Sequence, residues 1–140
     1  MVEVKCEYVN EMNKRKTDYF IYLNVEVKGH ANHCGYDVNK LVCAGISACC
    51  YGIKRLINEG QFNLEINKGY FRCWTNRLYN LRETLDKESV YALNTLVCQL
   101  YEIYCNYPNA FKSFDLVDVK EKIENERKER NEEQWGGREN

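Results

Sequence analysis

Residues 19–47 read YFIYLNVEVKGHANHCGYDVNKLVCAGIS. Tyr19, Ile21, Leu23, Val25 and Val27 alternate with Phe20, Tyr22, Asn24 and Glu26, the period of a half-buried strand. Gly29 ends it. From Val42 the period lengthens. Val42, Ile46, Cys49, Cys50, Ile53, Leu56 and Ile57 fall at helical spacing, which predicts a helix with one apolar face. Asn39 is placed to cap its first turn, and Gly60 sits just past its end. Gly45 and Gly52 each weaken such a helix by about 1 kcal/mol relative to alanine, so burial of the apolar face must offset them. The stretch is therefore strand, loop, helix.

Upstream, Val2, Val4, Cys6 and Tyr8 alternate with Glu3, Lys5 and Glu7, giving an earlier strand joined through a polar loop, NEMNKRKTD (10–18). Strands adjacent in sequence tend to be neighbours in the sheet. Downstream, Phe62, Leu64 and Ile66 alternate with Asn63, Glu65 and Asn67. Asn67-Lys68-Gly69 is a hairpin signal, and Tyr70 to Thr75 form the returning strand. A further polar loop leads to Asp86, an N-cap for a second helix. Its apolar stripe is Val90, Leu93, Val97, Leu100, Tyr101 and Tyr104, with Pro108 beyond it. The order β-β-α-β-β-α predicts an α+β sandwich, an antiparallel-rich sheet with two helices packed on one face. Residues 1–113 make one domain. Residues 114–140 form a charged C-terminal tail, helical or partly disordered, ending VKEKIENERKERNEEQWGGREN (119–140).

Composition sets bounds. The 140 residues suit one hydrophobic core, and 44% apolar with 29% charged residues is usual for a soluble globular chain. A formal net charge of −1 offers no bulk attraction to nucleic acid or to a membrane surface, and neither is an expected partner. No apolar run reaches the length of a membrane span. MVEVKCEYVN lacks the basic start and apolar run of a signal peptide, so a reducing cytoplasm is expected. The eight cysteines contain no CxxC pair, and adjacent Cys49 and Cys50 suit a disulfide poorly. They read as small apolar core residues, Cys98 and Cys105 in particular.

The loop between strand and helix is where chemistry concentrates. Cys43 is expected in the first helical turn, where free backbone N–H groups and the helix dipole favour an anion such as a thiolate. His30, at the other end of the loop, is a base able to reach it. The same N–H groups could serve a tetrahedral oxyanion. A second reading is a zinc site from His30, His33, Cys34 and Cys43, although H-x2-H-C-x8-C matches no common zinc framework. A third is a packed cysteine and a surface histidine. Tyr36, Tyr51, Tyr70 and Trp74 are candidates for an apolar pocket. The pattern alone leaves these readings open.

Gly29-His30-Ala31, a glycine-containing loop, an aspartate, and Val42-Cys43-Ala44-Gly45-Ile46-Ser47-Ala48 together resemble the signature of the Prp family, the bacterial ribosomal-processing cysteine proteases. The resemblance spans roughly residues 1–107. It implies that Cys43 is the nucleophile and His30 the general base of a cysteine endopeptidase acting through a thioester acyl-enzyme. Gly29, Ala44, Asp37 and Ser47 are the candidate supporting residues. It further implies a homodimer and a protein substrate with a cleavable N-terminal segment. That substrate is a large-subunit ribosomal protein or, for phage relatives, a capsid or scaffold protein. No cofactor and no metal are implied. The family carries an aspartate three residues before the cysteine. Here Lys40 holds that place and Asp37 is the nearby acid, in a loop about one residue longer. These departures suggest a divergent member, with a phage or prophage origin as one reading. A non-catalytic binding or assembly relative and a zinc-binding module are the alternatives.

Overall fold

Alternation of apolar and polar side chains places one face of each long strand in a core. The first two strands obey it up to a bulge, at and beyond which Ile21, Tyr22 and Leu23 are all buried. The computed structural model describes residues 1–12, 18–75 and 85–136. Among them run β1 (Val2–Met12), β2 (Asp18–Lys28), α1 (Tyr36–Ile53), β3 (Asn63–Asn67), β4 (Tyr70–Trp74), α2 (Lys87–Asn106), β5 (Phe111–Asp118) and α3 (Lys120–Gly136). The strands form one sheet in the order β3-β4-β2-β1-β5. All neighbours are antiparallel except β1 and β5, which are parallel. The fold is α+β. The loop expected at 10–18 lies partly outside the described residues, and the two strands extend into both of its ends.

Val2, Val4 and Cys6 of β1 share a buried cluster with Val25 and Val27 of β2 and with Phe71 and Cys73 of β4. Val42, Ile46, Cys50 and Ile53 of α1 join it, as do Leu93, Leu96, Val97 and Leu100 of α2. Both helices thus bury their apolar faces against the same side of the sheet. The sheet's other side carries Asn24, Glu26, Arg72 and Tyr70, where Tyr70 Oη donates to Glu26 Oε2 at 2.9 Å and Arg72 Nε to Asn24 Oδ1 at 3.1 Å. A bulge between Glu7 and Tyr8 shifts the β1–β2 register. Beyond it a second cluster forms from Val9, Ile21, Leu23, Val90, Val119 and Ile123. Asp86 caps α2 as the sequence suggests, its Oδ2 accepting from the Ser89 N–H at 3.1 Å.

Three features depart from the sequence reading. First, α1 begins at Tyr36, about two turns before Val42, with Gly35 as its N-cap at φ 87°. Asn39 lies inside the helix, and its Oδ1 accepts from the Cys34 N–H at 3.0 Å. The early turns were silent because Tyr36 and Leu41 are exposed, so no apolar stripe marks them. Second, β5 adds a fifth strand. The division placed at 113/114 falls inside it. Tyr104 fastens β5 to α2 through edge-on contact with Phe111 at 5.4 Å and a tilted contact with Phe114 at 5.3 Å. Val119 and Ile123, at the start of the charged stretch, are buried. Third, Cys98 and Cys105 are exposed on α2 rather than packed in the core.

All eight thiols are free. Burial pushes those of Cys6, Cys50 and Cys73 up to about 12. Above about pH 8.5 the unfolded chain releases these protons while the folded chain holds them. Stability from the neutral buried thiols is therefore intact below that pH. It declines by up to about 1.4 kcal/mol per pH unit for each thiol as the pH rises through the window. Denaturant midpoints compared at about pH 8 and about pH 11 are expected to fall steeply. A flat profile would mean that the thiols titrate freely in the fold.

Candidate active site

The site forms where β2 runs out. Gly29, at φ 94°, lies against the first residue of the chain: a Cβ there would strike the Met1 carbonyl oxygen, so only glycine fits. Its N–H donates to the Gly69 carbonyl at 3.0 Å, extending the β2–β4 ladder by one rung into the turn of the β3–β4 hairpin. His30 follows, exposed, over that turn. Ala31 is buried, and its N–H donates to Cys43 Sγ at 3.3 Å. The backbone beside the histidine thus touches the cysteine sulfur directly. Cys43 is partly buried on α1.

A cleft of about 410 Å³ opens at this point, within the usual range for small-ligand sites. Val2, Val27, Ile46, Cys50, Ile66 and Phe71 give it an apolar floor. Gly29, His30, Cys43, Ala44 and Ser47 line it from the loop and the helix, with Tyr51 further along α1. Asn67, Lys68, Gly69 and Tyr70 close it from the hairpin. An extended segment of chain lying between α1 and the hairpin would pass both the imidazole and the sulfur.

The structure brings together most of the residues singled out in the sequence. Cys43, His30, Gly29, Ala44 and Ser47 share the cleft lining, whereas Asp37 does not. Asp37 is exposed in the first turn of α1, where its carboxylate complements the helix dipole. Lys40, in the place of the family aspartate, lies with Nζ 4.3 Å from the Tyr36 ring centroid. Of the four candidate aromatic residues, Tyr51 and Tyr70 line the cleft and Tyr36 and Trp74 do not. Among the described residues no three His, Cys, Asp or Glu side chains gather as metal ligands, so His30, His33, Cys34 and Cys43 do not form a zinc centre here.

One expectation fails on geometry. Because α1 starts at Tyr36, Cys43 is not in its first turn. The free N–H groups of a helix belong to its first four residues, so they are not the donors beside this sulfur. The donor is the Ala31 N–H, from the opposite side of the loop. The hairpin residues Lys68 and Gly69 line the cleft without a sequence signal for that role. Asn67-Lys68-Gly69 signals a turn but not its neighbour, which depends on β4 pairing with β2.

A model of the family described as cysteine protease Prp matches residues 8–112. The chain belongs to the Prp cysteine protease family. It is a cysteine protease, and so a hydrolase of peptide bonds in a protein substrate. Solved structures share the Prp fold. The ribosomal processing protease Prp from S. aureus with a covalently linked product peptide is 23% identical, with a TM-score of 0.56, covering 84% of this chain and 99% of that one. The same S. aureus protease with a substrate peptide is 22% identical, with a TM-score of 0.54 and the same coverage of 84% and 99%. SMU.848 from Streptococcus mutans is 15% identical, with a TM-score of 0.53, covering 83% of this chain and 95% of that one. No curated protein matches the sequence. Among the described residues of this Prp-family chain, no helix is long and apolar enough to cross a membrane.

Proposed function

We propose that Cys43 is the nucleophile and His30 the general base of an endopeptidase that removes an N-terminal extension from a specific protein. The observation that carries this reading is the direct contact of Cys43 Sγ with the backbone beside His30, at the wall of one cleft. His30 takes the thiol proton, and the sulfur attacks the scissile carbonyl carbon. The tetrahedral intermediate collapses to a thioester as the C–N bond breaks. The leaving amine, the new N-terminus, takes its proton from the imidazolium. Water, deprotonated by His30, then attacks the thioester. The extension leaves as a carboxylic acid and the thiol is restored. Gly29 and Ala44 keep the cleft walls free of side-chain bulk, and Ser47 offers a hydroxyl one turn from the sulfur.

The substrate we infer is a large-subunit ribosomal protein with an N-terminal extension, in keeping with the ribosomal processing named for the S. aureus relative. A phage capsid or scaffold protein is the corresponding substrate if the chain is phage-borne. Co-expression with candidate substrates, reading new N-termini by mass spectrometry, tests this reading. A single internal N-terminus that appears with the parent chain and not with Cys43→Ala is expected. Binding of a candidate without cleavage under reducing conditions would favour a non-catalytic assembly role instead.

A further inference from the structure

We propose that Gly69 is a positioning residue, whose bare Cα at the turn of the β3–β4 hairpin is the seat of the His30 imidazole. The inference rests on the reading of His30 as the base for Cys43, and adds the element that holds the ring in place. A Cβ built on Gly69 would lie 2.5 Å from His30 Nε2, 2.8 Å from Cε1 and 3.3 Å from Cδ2. Three ring atoms so close to one missing substituent mean that the imidazole occupies the space a side chain would fill. The same residue fixes the backbone on which the ring is carried, because its carbonyl accepts the Gly29 N–H at 3.0 Å. Gly69 therefore sets both the start of the catalytic loop and the height of the ring above the hairpin.

Two demands meet at this position. The turn needs a left-handed backbone, and Gly69 has φ 72°. Asparagine and aspartate also tolerate that conformation. The ring needs the absence of a Cβ, which only glycine meets. A positive φ alone does not impose the second demand: Gly35, at φ 87°, has open space where its Cβ would be. Asparagine at position 69 would keep the hairpin and displace the ring, so the two demands separate by experiment.

The test compares the full-length parent, Gly69→Asn and His30→Gln by two readouts. The first is the rate at which iodoacetamide labels Cys43 at neutral pH. Cys98, exposed on α2, is the internal standard in the same sample. The second is the ring C–H spectrum of the two histidines, with His33→Gln assigning them. In Gly69→Asn the His30 ring signals are expected to move while those of His33 stay. Cys43 labelling relative to Cys98 is expected to fall about 10-fold, and to fall likewise in His30→Gln. Gly69→Asp must reproduce the effect. If His30→Gln slows labelling but Gly69→Asn leaves both rate and ring signals unchanged, the seat is wrong and the dyad stands. Slower labelling in Gly69→Asn with His30 signals unmoved also overturns the proposal, since the effect is then structural. If His30→Gln leaves the rate unchanged, the dyad itself falls and Gly69 with it.

Discussion

Cys43→Ala is expected to reduce cleavage to background while the protein remains folded. The substitution removes the only atom proposed to bond the substrate carbonyl. Loss of the nucleophile costs on the order of 10⁴-fold or more, because the base alone forms no acyl-enzyme. The structural cost is small. Cys43 is only partly buried, and its sulfur accepts one backbone hydrogen bond, from Ala31, whose loss costs about 1 kcal/mol. Cys43→Ser keeps the volume and a weak acceptor but supplies a hydroxyl that ionises far less readily, so it should be nearly as inactive. His30→Gln should slow cleavage by about 10²–10⁴-fold, the usual contribution of a positioned base. Single-turnover cleavage, with circular dichroism as the check on folding, measures all three. Comparable rates in the parent and Cys43→Ala would remove the cysteine from the chemistry.

Phe62→Ala is expected to be the most damaging single change to stability. Phe62 is 2% exposed and is the largest of the fully buried side chains. It stands between the end of α1 and β3, where its N–H donates to the Asn58 carbonyl at 2.9 Å. It belongs to the main cluster that joins α1, α2 and the sheet. Phenylalanine-to-alanine changes at such sites cost about 3–5 kcal/mol through lost transfer energy and the cavity left behind. A whole domain is stable by about 5–15 kcal/mol, so the loss is a large fraction of the total. A melting temperature lowered by about 10 °C or more is expected. A shift of only a degree or two would mean that the core closes around the gap, and that α1 is not fixed to the sheet through this contact.

The parts of the fold legible in the sequence are those whose residues report on burial by themselves. β1 and β2 alternate as far as the bulge at Glu7/Tyr8, since up to there one face meets helices and the other carries Lys5, Glu7, Asn24 and Glu26. At and beyond it Ile21, Tyr22 and Leu23 are all buried, so Tyr22, which the alternation places on the polar face, is a core residue. The β3–β4 hairpin is announced by its Asn-Lys-Gly turn, and α2 by an aspartate cap ahead of a regular stripe. β5 gave no such signal. Past Phe111 it alternates weakly, with Leu116 and Val117 both exposed at the edge of the sheet. Its parallel pairing with β1 joins opposite ends of the chain, which no local pattern can express. The start of α1 was hidden for a related reason, since Tyr36, Asp37 and Leu41 face outward. Cys98 and Cys105 were misplaced because a cysteine on a helix carries no mark of the face it occupies.

The candidate site was legible as far as Gly29, His30, Cys43, Ala44 and Ser47, because two short blocks bracket one loop. What surrounds the sulfur was not. The expected helix-start N–H groups depend on where α1 begins, and the actual donor is the Ala31 N–H, a backbone group that the Gly29-His30-Ala31 block does not mark as facing the sulfur. Asp37 sits in the helix's first turn, outside the cleft lining. The hairpin that closes the cleft becomes visible only once β4 is known to pair with β2.

The central claim is that the Cys43 sulfur becomes bonded to the substrate carbonyl during turnover. Intact-mass and peptide-mapping spectrometry on enzyme quenched in acid soon after mixing with its substrate tests that claim directly. The predicted result is a labile adduct of the N-terminal extension on Cys43, joined through the extension's new C-terminal carbonyl and released by hydroxylamine. An adduct on another cysteine, or cleavage that continues with Cys43 replaced by alanine, would contradict it.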